Sequence, residues 1–172
     1  MTRPASNTTA PPMEPTDEAE HHMRHALRLA EEALRDGRGG PFGAVVVREG
    51  RVIGTGGNRV VRDQDPTAHA EVVAIRSACQ SLGTHVLSGC VLFTSCEPCP
   101  MCWGAIHWSR LDRILYAATR QDACEAGFDD ELLWDQVALP LKMRGLRSEQ
   151  MLHEDALRVL ARWRSLTDKV QY

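Results

Sequence analysis

The chain has 172 residues, the length of one domain, and its 43% hydrophobic and 25% charged content suits a globular fold with a buried core. Twenty basic against 23 acidic residues leave a net charge of −3, which gives no electrostatic reason to expect nucleic acid or an anionic membrane surface as partner. No apolar run approaches the ~20 residues of a membrane helix, and the first residues carry no hydrophobic secretory stretch, so a cytoplasmic location is the expectation.

Residues 1–15 are rich in Thr, Pro and Asn without periodicity, and they read as a disordered extension ahead of a single domain over 16–172. Thr16 is predicted to cap a first helix whose opening turn holds Asp17, Glu18 and Glu20. Its buried face would comprise Met23, Ala26, Leu27, Ala30, Ala33 and Leu34, and the run Gly37 to Pro41 ends it. Two strands follow, Ala44–Arg48 and Val52–Gly56, joined by a hairpin turn at Glu49-Gly50. A polar loop, Arg62 to Pro66, leads into a helix over about Ala68–Leu82 that buries Val72, Val73, Ile75 and Ala78. Next come a strand at Cys90–Thr94, a short helix from Cys99 to Trp108 and a strand at Arg113–Ala117. From Asp129 onward the pattern is helical, broken at Pro140 and Gly145. The last helix, about Glu149–Asp168, has Leu152, Leu157, Leu160 and Trp163 among its apolar positions. The order α-β-β-α-β-α-β predicts an α/β fold with a partly parallel sheet covered on its faces.

Six cysteines without a secretory segment, three of them crowded into Cys96–Cys102, point to metal binding rather than disulfides. His69-Ala70-Glu71 opens one predicted helix and Pro98-Cys99-Pro100-Met101-Cys102 opens another. Each pattern alone is weak. Together they offer one nitrogen and two sulfurs, each at a first helical turn where the dipole favours thiolate, which suits a tetrahedral Zn2+ with a vacant fourth position. Bound zinc lowers the pKa of its water to roughly 7, and a nearby carboxylate that is not a ligand can shuttle the proton; Glu71 is placed for that. The same order, His-x-Glu and then Pro-Cys-x-x-Cys, marks zinc deaminases. Two other readings of these residues stand: Cys96 as a fourth ligand in a non-catalytic zinc module, and Cys99/Cys102 as a thiol redox pair.

On these motifs the chain resembles the cytidine-deaminase-like superfamily and, within it, the bacterial guanine deaminases. The matching stretches are Gly40–Val45, Asp65–Glu71, Thr94–Cys102 and Glu125–Asp130, with a terminal Tyr172. The resemblance implies a three-layer α-β-α fold with a five-stranded mixed sheet. It also implies a homodimer whose carboxyl-terminal segment crosses to the partner. By matching position it assigns Phe42, Asn58, Ala70, Trp108, Asp130 and Tyr172 to binding a purine base, and gives Asp130 a share in proton transfer. The implied reaction is hydrolysis of guanine to xanthine and ammonia, with tRNA adenosine, cytosine or an aminotriazine as rival substrates. Trp103 and His107 depart from the pattern, which expects an aliphatic residue and an aromatic there.

Overall fold

A computed structural model describes residues 16–37 and 39–171. The expected disordered extension and Tyr172 lie outside the described residues. The elements in chain order are α1 (Asp17–Arg35), β1 (Gly43–Arg48), β2 (Arg51–Gly57), α2 (Val60–Asp63), α3 (Ala70–Leu82), β3 (Cys90–Cys96), α4 (Pro100–Ser109), β4 (Arg113–Ala118), α5 (Arg120–Glu125), α6 (Glu131–Ala138) and α7 (His153–Ser165), with a 3-10 turn at Leu141–Met143.

The sheet runs β2-β1-β3-β4; β1 pairs antiparallel with β2 and β3, and β3 pairs parallel with β4. Among the described residues it has four strands, not five. The residue pattern itself had offered only four; the fifth came from the resemblance. After Ala118 the chain turns into α5 on a capping box, Thr119 with Asp122, and goes on as helices and irregular backbone.

Alternation along β1 divides the core. Val45 and Val47 face Ala19 of α1 together with Phe93, while Ala44 and Val46 face Ala70, Ala74 and Ile106 of α3 and α4. The molecule is therefore three-layered, with α1 on one side of the sheet and α3 with α4 on the other. Glycines let the helices approach closely. A Cβ at Gly43 would lie 2.2 Å from the Ala26 carbonyl oxygen, and one at Gly56 would lie 2.2 Å from that of Ala70.

Thr16 caps α1 as expected, its Oγ1 accepting from the Ala19 N–H at 3.2 Å. The hairpin turn falls at Glu49-Gly50, both with positive φ as a two-residue type I′ connection requires. The expected buried face of α3 is buried. The face of α1 needs correction: Ala26, Ala30 and Ala33 are buried, but Leu27 and Leu34 are exposed and His22 is buried in their place. Backbone-close packing on Gly43 selects the alanines and turns the leucines to the flank. Part of the expected polar loop forms the single turn α2, and the last helix is shorter than expected, starting at His153 and ending at Ser165.

Candidate zinc and substrate site

His69 and Cys99 are the N-cap residues of α3 and α4, with extended backbones (φ −66°, ψ 154° and φ −68°, ψ 169°). Neither side chain caps its own helix; they turn towards each other instead. Cys102, one turn into α4 and fully buried, completes a triangle in which His69 Nδ1 lies 3.6 Å from each sulfur. Zinc at about 2.3 Å from sulfur and about 2.0 Å from nitrogen puts tetrahedral N and S ligands about 3.6 Å apart, so the three residues fit the ion. They form the single such cluster among the described residues, with all ligand atoms within 4.8 Å of one another.

The electrostatics agree. Hydrogen bonds from Cys102 and His69 hold the Cys99 thiol down to about 4, against the opposing effect of burial. The Cys102 thiol is pushed up, chiefly because it donates to Cys99 and then because it is buried. His69 is raised by its contact with Cys99. These contacts favour the thiolate of Cys99, the form that binds a metal. Cys96 also lines the cavity but stands outside the cluster: its thiol donates to the Thr119 carbonyl at 3.5 Å, and burial pushes its pKa up to about 11. All six cysteines are free thiols.

A cavity of about 360 Å³ opens beside the triangle and is lined by His69, Cys99, Glu71, Phe42, Asn58 and Asp130, with the apolar Val60, Val61, Phe128 and Leu133 around them. Glu71 is only 6% exposed, and burial pushes its carboxyl up, towards the protonated form that a proton carrier must visit. Asn58 is buried; its Oδ1 accepts from the Val60 N–H at 3.2 Å, and Gly39 is needed because a Cβ there would meet that oxygen at 2.0 Å. The turn role and the cavity position therefore coexist in one residue. Asp130 is the N-cap residue of α6 but does not cap it; Asp129 Oδ1 takes the Glu131 N–H instead, at 2.9 Å. Burial raises the Asp130 carboxyl, opposed by the donor Trp134 and the nearby charge of Arg120.

Two of the expected substrate residues stand elsewhere. Ala70 is fully buried in the core and Trp108 is 66% exposed on the outer face of α4; neither lines the cavity within one chain. Several cavity residues carried no role in the sequence reading, among them the wall that follows β4. Phe128 packs edge-on against Phe42 with centroids 4.9 Å apart, and Arg120 and Leu133 complete the wall. The signal for this wall was the capping box at Thr119, which turns the chain back over the metal cluster. Trp103 and His107 stack on each other at 5.7 Å, away from the cavity.

The family model for the cytidine and deoxycytidylate deaminase zinc-binding region matches residues 16–118. A guanine deaminase of Bacillus subtilis is 46% identical over 153 residues, 89% of this chain and 98% of that protein. An X-ray structure of guanine deaminase from the same organism superposes with a TM-score of 0.86 at the same identity and coverage. A tRNA-specific adenosine deaminase of Aquifex aeolicus is 42% identical over 99 residues, 58% of this chain and 65% of that protein. Among the described residues no helix is long and apolar enough to cross a membrane. With the zinc triangle, the buried glutamate and these likenesses together, the chain belongs to the cytidine and deoxycytidylate deaminase family of zinc enzymes, as a homologue of bacterial guanine deaminase.

Proposed function

We propose that this protein hydrolyses guanine to xanthine and ammonia, using a zinc held by His69, Cys99 and Cys102. The observation that carries the reading is the meeting of three zinc-fitting ligands with a buried, non-ligating carboxylate on the wall of a largely apolar cavity. Zinc supplies there a water acidic enough to lose its proton at neutral pH. Glu71 receives that proton, passes it to a ring nitrogen of the base, and assists the departure of ammonia. Phe42 offers a ring face to the base, the Asn58 amide donates to an acceptor on its edge, and Asp130 accepts from a ring N–H. The 46% identity with a guanine deaminase, over a stretch that leaves out only about a tenth of the chain, takes in the wall built from Arg120 to Trp134. The shorter match to a tRNA-specific adenosine deaminase favours that substrate less, as does the acidic net charge of −3.

The zinc content of the purified protein and ammonia release from guanine, measured beside inosine formation in tRNA, test this directly. One zinc per chain is expected, with guanine as substrate. Glu71→Gln should keep the zinc and lose turnover by about 10²- to 10⁴-fold; His69→Ala should lose both. A metal-free protein, or full activity in Glu71→Gln, overturns the reading.

A second reading concerns assembly: the protein works as a homodimer in which the carboxyl-terminal segment of one subunit closes the cavity of the other. It is supported by the absence of any buried residue in α6 and α7, and by large apolar side chains left exposed along both. Trp108 and Tyr172 take their place at the base in that arrangement.

A further inference from the structure

The wall of the cavity that follows β4 is held by an interlocked set of side chains. Asp130 Oδ2 accepts a hydrogen bond from Trp134 Nε1, one turn further along α6, at 3.1 Å. The guanidinium carbon of Arg120 lies 5.8 Å from the centre of the Trp134 ring, within cation–π range. The Arg120 backbone N–H in turn donates to Glu97 Oε2 at 3.0 Å, and the Glu97 N–H donates to the Ala118 carbonyl at 2.9 Å. Contacts thus run without a break from the loop that carries Cys99 to the carboxylate of Asp130.

An indole N–H only donates, and a half-buried one requires an acceptor. A carboxylate on the edge of an apolar cavity has the opposite need, and with two free torsions it would otherwise swing out into water. We propose that Trp134 is a positioning residue for substrate binding: its N–H ties down one oxygen of Asp130 so that the other meets a ring N–H of the bound base, and Arg120 braces the indole from its open face. The proposal deepens the guanine reading and rests on it. Arg120 and Trp134 do not touch the reacting atoms; they act through Asp130.

Trp134→Phe keeps an aromatic face for Arg120 and deletes the donor, together with one fused ring of the indole, so Tm must be read beside KM. In the full-length zinc-loaded protein it should raise KM for guanine about 10- to 100-fold, the range for losing a hydrogen bond to a charged group, while kcat stays within about threefold. Zinc content and Tm should match the unaltered protein. Asp130→Asn should lower kcat/KM at least as far, and adding Trp134→Phe to it should cost less than about threefold more, because the two act as one unit. An unchanged KM in Trp134→Phe overturns the proposal. So does an equal loss from Trp134→Phe in both backgrounds, or a loss that tracks Tm, since either marks a merely structural tryptophan. If the unaltered protein, fully loaded with zinc, releases no ammonia from guanine, it is the functional reading that fails, before any variant is consulted.

Discussion

Cys96 stands three residues ahead of Cys99, a spacing as good for metal binding as that between Cys99 and Cys102. Its thiol is spent on the Thr119 carbonyl, and burial keeps it protonated at neutral pH. With that thiol engaged, His69, Cys99 and Cys102 alone would hold a zinc ion, and three protein ligands are the condition for a catalytic rather than a structural site. Cys96→Ser preserves a donor to Thr119, so it should retain one zinc per chain and activity within a few-fold. Cys102→Ala should lose the metal, and elemental analysis separates the two outcomes. A Cys96→Ser protein without zinc would mean that four side chains hold the ion. The redox reading of Cys99 and Cys102 leaves unexplained why His69 sits equidistant from both sulfurs with Glu71 beside them.

At the level of elements, the glycines of the first hairpin set how near the functional helices can lie. A methyl group at Gly56 would press on the Ala70 carbonyl at 2.2 Å and the Ala74 nitrogen at 2.6 Å, in the turn of α3 that carries His69 and Glu71. At Gly43 it would press on α1, which carries no ligand. Both Gly43→Ala and Gly56→Ala should destabilise the fold by ~1–3 kcal/mol, the usual cost of overpacking. Gly56→Ala alone should also weaken zinc binding, as read by competition with a chelating dye. Equal zinc affinity in the two variants would show that α3 can shift without disturbing its ligands. The same close approach explains what the sequence disclosed. Strands, hairpin turn and α3 were legible because side-chain alternation and turn chemistry are local. The phase of α1 was legible only in part: Ala26, Ala30 and Ala33 are buried as expected, but Gly43 makes such small residues, not Leu27 and Leu34, the contact stripe. His69, Glu71, Cys99 and Cys102 were legible because their spacing at helix starts has a chemical meaning. Arg120, Phe128 and Leu133 reach the cavity only through the fold-back after β4, which no periodicity announces.

For the whole molecule, every buried residue among those described lies between Ala19 and Ser109; beyond that point the chain contributes none. Leu146 at 83% and Met151 at 82% exposure are the extremes of an apolar surface with no local reason to face water. A chain of 19.1 kDa that keeps this surface open would associate, and a self-complementary pairing around a two-fold axis is the commonest closed solution. Leu146→Glu with Met151→Glu should be harmless to an isolated subunit, where both side chains are already exposed, but should shift the sedimenting species from dimer to monomer. An unaltered protein that sediments as a monomer at all concentrations would exclude the assembly. Whether the tail crosses between subunits has its own signature. Glu71→Gln and Tyr172→Ala should each be inactive alone; dissociated, mixed and reassociated, they should recover about a quarter of the original activity, the statistical yield of mixed dimers with one sound site each. Recovery requires that the tyrosine of one chain serve the glutamate of the other. A mixture that stays inactive while mixed dimers form would place each tail on its own cavity.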